Sequence, residues 1–473
     1  MPRVPLSLAI RSNQSRHGFE GAARLVNCYA EQMGGDARSP TVIYPIEGLD
    51  PWLTPADGEI KCLLGTESYL YGVAGTSVFA IDSSDVITIL GTVDDDECYM
   101  ARNRRNPTTQ VGLVVGTGKY YTIEGTTMTL NTDADLPPPT SIDVKDGYFV
   151  LPATFGRFFI TGEDDATTIS ALDFGTAQRS PDAILRVIAT ENDVAIFGET
   201  SIEWWQNQPS STASFPFVPV SSVDLGLRNS RAAAKLNREI MWVANDGTVR
   251  RMNGYSGDVI SDPAVERAIG SLSADDTIIA SAWNVSDAGK TFFQIRSPYW
   301  CWVYDVDGDM RWHERKSHEM DTYRVTCHAE WRGLNLAGDG SSGTIYKVSR
   351  TYYSEGGYPI QMVVQTPPVD ASPSPLFVSQ LDVSVIPGQG TNTPARPENE
   401  TPSLIMSYSD DGGATWSTEQ RRSMGQAGQS LTRVRYSRLG CIRRNGRTFK
   451  LQISAETARG ITGATIDVEK GTT

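Results

Sequence analysis

The stretch DVAIFGETSIEWWQN (Asp193–Asn207) decides the fold. An apolar strand, a turn that contains glycine and a second strand with large aromatic residues follow one another within it. This order is typical of a β-hairpin. The same pattern recurs at six further places: SYLYGVAGTSVFAID (Ser68–Asp82), VGLVVGTGKYYTI (Val111–Ile123), GYFVLPATFGRFFITG (Gly147–Gly162), EIMWVANDGTVRRMNG (Glu239–Gly254), FFQIRSPYWCWVYD (Phe292–Asp305) and LNLAGDGSSGTIYKV (Leu334–Val348).

The spacing of these hairpins indicates the architecture. The turns repeat with a mean step of about 45 residues, which is the length of one four-stranded propeller blade. We therefore predict an all-β chain with a β-propeller over residues 56–363. The blade number is six or seven, depending on whether N-terminal strands complete the last blade. The residues that mark the turns are Gly75, Gly118, Gly156, Gly198, Gly247, Pro298 and Gly343.

A parallel α/β fold would require amphipathic helices between the strands. The intervening stretches are instead rich in Ser, Thr, Asp, Gly and Pro, and the chain contains 43 Gly and 26 Pro. One short helix is predicted at DPAVERAIG (Asp262–Gly270), with Asp262 as its N-cap and Pro263 at its first position.

The two flanks of the propeller lack the blade pattern. The Pro-rich segment VQTPPVDASPSP (Val364–Pro375) marks a domain boundary, and the short strand-like runs after it predict a C-terminal β-sandwich over residues 364–473. Residues 1–55 are expected to form an extended N-terminal arm that partly pairs with the propeller. Within this arm, LVNCYAEQ (Leu25–Gln32) and TVIYPIEG (Thr41–Gly48) are expected to pair onto another sheet.

Charge and cysteine usage exclude several classes of protein. A formal net charge of -14 argues against a dedicated duplex-DNA binder. The six cysteines form no CxxC pair, so we expect reduced, buried thiols. No apolar run approaches the length of a membrane span, and the N-terminus lacks the features of a signal peptide, so synthesis in a reducing cytoplasm without membrane insertion is expected.

The most specific local motif is SDDGGATW, which fits the S-x-D-x-G-x-T-W pattern of an Asp-box. Its role is structural, because the Ser and Asp oxygens accept backbone N–H groups inside a hairpin turn while Gly permits a positive φ. The motif residues are Ser409, Asp411, Gly413, Thr415 and Trp416.

Asp-boxes also occur on the propeller blades of sialidases, which makes a glycoside hydrolase acting on surface glycans the alternative function. Such an enzyme needs three arginines that converge on a sugar carboxylate, a Tyr nucleophile assisted by Glu, and a separate acid. This chain has one box, placed outside the repeats. No nucleophile elbow is present either, so we predict no catalytic residues and no enzyme activity.

Two patterns resemble metal sites. His313, His318, Cys327 and His328 are close in sequence, but on strands neighbouring side chains point to opposite faces. DVDGD (Asp305–Asp309) resembles a calcium loop, but Lys316 stands where the bidentate Glu is required. We therefore predict a tight turn there, no metal site and no cofactor.

A run without acidic residues lies between Glu419 and Glu456. It contains nine Arg and Lys residues in an otherwise acidic protein. The run is explained by edge-strand charge that discourages aggregation, by docking onto an acidic partner or neighbouring subunit, or by DNA contact. The possible interface residues are Arg433, Arg435, Arg438, Arg443, Arg444 and Arg447.

Several strings taken together resemble the packaged-DNA stabilization proteins of short-tailed bacteriophages, also described as tail accessory or tail-hub proteins. Their order and spacing run through almost the whole chain. The strings are VNCYAE (Val26–Glu31), FGETSIEWW (Phe197–Trp205), WVANDGTVRRMNGY (Trp242–Tyr255), ISDPAVERAI (Ile260–Ile269), WVYDVDGDMRWHE (Trp302–Glu314), SYSDDGGATWS (Ser407–Ser417) and RYSRLGCIRRNGRTFKLQIS (Arg435–Ser454).

The resemblance implies a structural virion protein at the head-to-tail interface, assembled in the host cytoplasm. It implies a homohexameric ring that closes the DNA channel after packaging. The implied partners are the portal-adaptor ring proteins and a tailspike, fibre or tail-needle protein. Viral DNA would pass through the channel without specific binding.

Overall fold

The computed structural model describes residues 2–33, 39–153, 155–177, 179–180, 182–208, 215–285, 289–308, 310–371, 374–391, 396–443 and 445–471. These residues form a β-propeller and a β-sandwich, which confirms the predicted all-β fold. One α-helix, α1 (Pro263–Gly270), and one 3-10 turn (Pro397–Asn399) occur among them. No helix in the described ranges is long and apolar enough to cross a membrane.

Six short strands precede the first blade. β4 and β5 pair with each other, with Tyr29 opposite Tyr44. The strands are β1 (Arg3–Pro5), β2 (Asn13–Gln14), β3 (Ala22–Val26), β4 (Cys28–Gln32), β5 (Thr41–Pro45) and β6 (Gly48–Leu53).

The propeller has seven blades in the part of the chain that the structure describes. Blades 1 to 6 are each built from four consecutive antiparallel strands, and blade 7 takes three consecutive strands. Blade 1 contains β7 (Ile60–Gly65), β8 (Leu70–Ala74), β9 (Ser77–Ile81) and β10 (Ile87–Thr92); blade 2, β11 (Cys98–Arg102), β12 (Gln110–Val115), β13 (Lys119–Glu124) and β14 (Thr127–Leu130); blade 3, β15 (Asp143–Lys145), β16 (Tyr148–Ala153), β17 (Arg157–Gly162) and β18 (Asp165–Thr176). Blade 4 contains β19 (Ile184–Ala189), β20 (Asp193–Gly198), β21 (Ile202–Asn207) and β22 (Phe217–Val223); blade 5, β23 (Ala233–Leu236), β24 (Glu239–Val243), β25 (Val249–Asn253) and β26 (Ser256–Val259); blade 6, β27 (Ile279–Val285), β28 (Lys290–Arg296), β29 (Cys301–Asp305) and β30 (Trp312–Glu314); blade 7, β31 (Val325–Trp331), β32 (Leu334–Asp339) and β33 (Ile345–Ser349).

The seven hairpins predicted from the sequence are the second and third strands of the seven blades. These middle strands are covered on both faces by neighbouring blades, which explains their continuous apolar runs. Every residue of β8, β12 and β20 is buried. Aromatic contacts join the blades, such as Phe158 with Trp205 at 4.9 Å and Phe197 with Trp242 at 5.8 Å between ring centroids.

The N-terminal strand β6 closes the ring. It pairs antiparallel with β33 as the fourth strand of blade 7, with Leu49 opposite Val348. The inner strands of blades 7 and 1 then meet, where the Thr326 hydroxyl donates to the carbonyl of Ile60 at 2.8 Å. The seventh blade is therefore complete only because an N-terminal strand joins it.

Two short strands, β34 (Ser354–Glu355) and β35 (Tyr358–Pro359), lead from the propeller into the sandwich. One sandwich sheet has the order β4-β5-β42-β37-β40, with β1 also on β42, and the other has the order β3-β36-β41-β38-β39, with β2 on β3. Their apolar faces meet around Met362, Leu381, Tyr436, Phe449 and Leu451. The C-terminal strands are β36 (Met362–Gln365), β37 (Leu376–Val385), β38 (Ser403–Ser409), β39 (Gln420–Ser423), β40 (Val434–Ile442), β41 (Thr448–Ile453) and β42 (Ile461–Lys470).

The strands of residues 1–55 are divided between the two bodies. β1, β4 and β5 belong to the sandwich and β6 to the propeller. β3 pairs with β36 of the sandwich and also touches β30 of blade 6, with Val26 opposite Glu314. At this junction Arg24 binds Glu314 through three hydrogen bonds of 2.6 to 3.0 Å. One continuous sheet therefore runs from the propeller into the sandwich.

Helix α1 forms where it was predicted, but Asp262 does not cap it with its side chain. The Asp262 carboxylate instead accepts a hydrogen bond from Arg11 at 3.2 Å. The carboxylate therefore binds the N-terminal segment and not the helix. The helix pattern Asp262–Gly270 could not show this contact, because Arg11 lies 251 positions before Asp262.

Candidate functional site

The Asp-box residues form the hairpin turn between β38 and β39. Ser409 donates through Oγ to Asp411 Oδ1 at 2.7 Å and accepts the N–H of Gly413 at 2.8 Å. Asp411 accepts the N–H of Thr415 at Oδ1 (2.9 Å) and the Thr415 hydroxyl at Oδ2. These hydrogen bonds, those from Thr415 first, lower the pKa of Asp411 to about 2. Both carboxylate oxygens are occupied within the turn, as a structural role requires.

The Asp-box turn also contacts the N-terminal segment. Within the turn, Gly413 has a φ of 96°. The ammonium of Lys450 lies over the ring of Trp416, 4.2 Å from the ring centroid. A Cβ on Gly18 would lie 1.7 Å from the carbonyl oxygen of Gly412. Only glycine therefore allows the two backbones to approach this closely.

The predicted basic patch separates into exposed and buried arginines. Arg433, Arg435, Arg438 and Arg443 are exposed, on or beside β40. Arg444 lies outside the described residues. Arg447 is 3% exposed, and its guanidinium binds both oxygens of Asp410 at 2.6 and 2.7 Å.

Arg447 has an internal structural role. Beside Asp410, it donates to the carbonyls of Leu439 and Cys441 and lies 3.8 Å from the ring centroid of Tyr408. All of these partners belong to the sandwich. Arg447 therefore joins the Asp-box hairpin to β40 and is not available to a partner.

The exposed arginines surround a single carboxylate on the neighbouring strand. Asp382 of β37 contacts Arg435 at 2.9 Å, Arg3 at 3.1 Å and Arg433 at 3.6 Å. These groups, with the hydrogen bond from Arg435 first, lower the pKa of Asp382. Arg3 also contacts Asp467 at 3.0 Å. Arg3, Arg433 and Arg435, together with the exposed Arg438, therefore outnumber the two carboxylates Asp382 and Asp467.

A cavity of about 250 Å³ lies at the centre of the propeller, between the inner strands. Arg231 forms an ion pair with Glu59 at 2.8 Å, which joins the segment before blade 5 to the segment before blade 1. The guanidinium of Arg186 lies over the ring of Tyr99 at 4.9 Å and donates to the carbonyl of Ser230. These two cavity arginines are thus held by groups of the protein itself.

One of the pairs that the glycosidase alternative requires, a tyrosine beside a glutamate, occurs at this cavity. Tyr99 donates its hydroxyl to Glu97 at 2.7 Å, and burial raises its pKa. A nucleophile is activated by a lowered pKa or by an adjacent base, and Tyr99 has only the adjacent carboxylate. An arginine set for a sugar carboxylate would also need free guanidinium groups, which Arg186 and Arg231 do not offer.

The histidines that resembled a zinc cluster are dispersed. His313 is buried on β30, and burial lowers its pKa well below the ordinary value. His328 stacks on Trp283 at 4.0 Å, whereas His318 meets Tyr358 edge-on at 4.9 Å. Among the residues that the structure describes, no group of three or more ligating side chains could hold a metal ion.

The segment that resembled a calcium loop is a turn between β29 and β30. Asp305 accepts the N–H of Gly308 at 2.8 Å and contacts Lys290 at 3.2 Å. Its carboxylate is therefore used within the protein. Asp309 lies outside the described residues.

The six cysteines form no disulfide. Cys98 and Cys327 line the central cavity, and burial raises the pKa of each to about 12. These thiols are protonated at neutral pH, so they are poor nucleophiles.

One buried ion pair was not predicted from the sequence. Glu47, directly before β6, binds Arg315 of the segment after β30 at 2.9 Å, and the two side chains are 0% and 1% exposed. Arg315 also lies 5.0 Å from the ring centroids of Trp283 and Phe292. Neither residue stands in a motif, and 268 positions separate them, so only the folded chain reveals the contact.

Two family models match the sequence. The model described as bacteriophage P22 Gp10, beta-propeller, matches residues 65–353, and the model described as bacteriophage P22 Gp10, beta-sandwich, matches residues 361–469. No curated protein matches the sequence.

Three of the solved structures that match the chain do so with TM-scores below 0.5. The WD40 beta propeller domain of Doa1 matches at 10% identity with a TM-score of 0.41, over 64% of this chain and 96% of that one. Raptor of Chaetomium thermophilum matches at 10% identity with a TM-score of 0.43, over 65% of this chain and 28% of that one. The computationally designed Ika8 protein matches at 14% identity with a TM-score of 0.39, over 73% of this chain and 99% of that one.

Proposed function

The chain belongs to the bacteriophage P22 Gp10 family of phage structural proteins, and on this premise we propose that it is a ring-forming tail hub that closes the DNA channel after packaging. In this proposal a homohexameric ring links the portal and its adaptor to the tail tip, spikes or needle. The protein is a component of the virion, and its proposed position is the head-to-tail interface.

The observation that carries the proposal is the continuity between the two bodies. β3 touches blade 6 and pairs with the sandwich, while β6 completes blade 7. A load on the sandwich is therefore transmitted to the propeller through backbone hydrogen bonds. Such a rigid unit suits a collar that must withstand the pressure of packaged DNA.

The DNA path in this proposal lies between copies of the chain. The central cavity of the propeller holds about 250 Å³, and Arg231, which lines it, is paired with Glu59. The major groove of a duplex alone is about 12 Å wide. A duplex therefore does not fit through one propeller, and a ring of copies around a common axis supplies the channel.

Charge supports passage without adhesion. The net charge is -14 although residues 420–455 carry nine positive charges, so the remaining residues carry -23. If much of this charge faces the axial channel, repulsion keeps DNA from adhering. A basic lumen in the assembled ring would contradict this part of the proposal.

We also propose that the protein turns over no substrate. The internal pairing of Arg231 and the raised pKa of Tyr99 support this. The check is an assay of sialosides and capsular polysaccharides with the purified protein. Hydrolysis that is lost in a Tyr99→Phe variant would establish the glycosidase alternative instead.

Electron microscopy of purified virions tests the main proposal. The expected result is a six-fold ring of this protein on the head-to-tail axis, and particles made without the protein should lose their DNA after packaging. Virions that lack the chain, or particles that retain DNA equally well without it, would overturn the proposal.

A further inference from the structure

The strand β40 (Val434–Ile442) ends the first sheet of the sandwich. Among the described residues it pairs with β37 alone, and β39 of the second sheet lies beside its other edge without pairing to it. The carbonyl of Arg435 accepts a hydrogen bond from Nε of Arg422 at 3.0 Å. The backbone of Arg435 therefore faces away from β37, and that of Ser437, two residues further, does the same.

This edge is regular over a short length. Val434 to Ser437 pair in register with Val383 to Gln380, and Arg438 then begins a bulge with a φ of 61°. Beyond the bulge the strand bends away. The regular part thus offers one short site for a further strand.

The charged side chains on and directly before β40 are all arginines, and Asp382 of β37 contacts two of them, Arg433 and Arg435. Arg433 and Arg435 expose 66% and 43% of their side chains, and Arg438 is exposed as well. Leu431, in the preceding loop, is 93% exposed and adds an apolar contact beside the arginines. The surface therefore fits an acidic chain with an apolar side chain at one end.

The backbone edge favours a polypeptide over nucleic acid. Outward N–H and C=O groups alternate along β40, and phosphate groups have no donors for the carbonyls. A second β40 edge is excluded because its arginines would face those of the first. An acidic extended segment satisfies both the backbone and the charges.

The protein already uses strand addition at two other edges. β3 joins blade 6 beside β30, and β6 joins blade 7 beside β33. We infer that the β40 edge binds an extended acidic segment of a partner protein by strand addition, with its carboxylates on Arg433, Arg435 and Arg438. This inference rests on the proposed function, since a tail hub must hold other virion proteins.

The test uses the full-length protein and a heptapeptide of alternating Val and Asp, capped at both ends. Because side chains alternate along a strand, all of its carboxylates lie on one face. An Asn-for-Asp peptide removes the charge, and a peptide N-methylated at alternate residues removes the backbone donors but keeps the charge. A single-stranded DNA of equal charge is the fourth probe.

The expected result is saturable binding of the Val-Asp peptide, weakened about tenfold or more by either peptide change, because the first removes the attraction between charges and the second the backbone hydrogen bonds. The double variant Arg433→Gln with Arg438→Asn should show a similar loss. The control Arg104→Gln with Arg238→Asn, on exposed propeller positions, should bind as the unchanged protein does.

Equal binding of the N-methylated peptide, tighter binding of the DNA, or no peptide binding would each overturn the inference. These outcomes are independent of the virion images. Peptide binding without a ring in the virion would overturn the proposed function alone, and a ring without peptide binding would overturn this inference alone.

Discussion

Replacing Glu47 with alanine removes the carboxylate that faces Arg315 between the N-terminal segment and the propeller. The two side chains are 0% and 1% exposed and meet at 2.9 Å, so bulk solvent does not reach the guanidinium in place of the lost carboxylate. The guanidinium would remain as a buried charge. Its contacts at 5.0 Å with the rings of Trp283 and Phe292 offset only part of the loss.

The expected loss follows from the geometry of a buried ion pair. Removal of one partner from such a pair costs about 3–5 kcal/mol. With an unfolding entropy of about 2.1 cal/mol/K per residue, a chain of 473 residues unfolds with about 1 kcal/mol/K. The melting temperature should therefore fall by about 3–5 °C.

Calorimetry and urea unfolding of three variants measure the effect. Glu47→Ala should show the full loss, whereas Glu47→Leu combined with Arg315→Met should recover most of it, because apolar replacement of a buried pair is about neutral or stabilising. Glu191→Ala is the matched control, since Glu191 and its partner Arg238 are 55% and 79% exposed. Its loss should stay within about 1 kcal/mol. A loss within about 1 kcal/mol for Glu47→Ala, or a double variant as unstable as the single one, would refute the reasoning.

Three further predictions concern pH and ring closure. The pKa of Asp411 is lowered to about 2, so its contribution to stability is present above pH ~4 and is lost as the pH falls towards 2. Over this pH range, melting temperatures should decline less steeply in Asp411→Asn than in the unchanged protein. Burial first, and then the charge of Arg315, lowers the pKa of His328 to about 3, so between pH ~6.5 and 3 only the unfolded chain binds a proton at this residue. Urea unfolding at pH 7 and pH 4 should therefore show a smaller decrease in the free energy of unfolding for His328→Phe than for the unchanged protein. An equal decrease would contradict the assignment. Leu49 is 1% exposed in β6, so Leu49→Asp should cost at least about 2 kcal/mol and speed hydrogen exchange at Val348 in the paired strand, whereas protection equal to that of the unchanged protein would show that β6 still pairs.

The propeller was predictable because its evidence is local. Each middle hairpin carries its own apolar strands and turn within about fifteen residues, and the turns repeat at a blade-length step. Gly75 shows why the turn residues are readable, since its φ is 54° and a Cβ there would lie 2.7 Å from the carbonyl oxygen of Asp57. The blade number was open because β6 joins β33 across almost 300 residues, and no local pattern encodes that pairing.

The surface residues were predictable by type but not by exposure. Nine basic residues without one acid indicated a positive face, but the sequence could not separate Arg447, 3% exposed, from Arg433 beside the open edge. The difference arises from Asp410, which lies 37 positions before Arg447 and next to the Asp-box. Charge patterning reports composition along the chain, whereas burial depends on which strands become neighbours.

We expect the N-terminal segment to couple the unfolding of the propeller to that of the sandwich. Blade 7 lacks its fourth strand without β6, and the two sandwich sheets lack β1, β3, β4 and β5 without the same segment. Blade 7 and both sandwich sheets are therefore incomplete after the segment is released, whereas blades 1 to 6 keep their four strands. Because the Glu47–Arg315 pair lies directly before β6, weakening it should lower one common unfolding transition of propeller and sandwich. Two separated transitions in the Glu47→Ala calorimetry would mean that the bodies hold together independently, and the N-terminal strands would then be attachments to two finished domains.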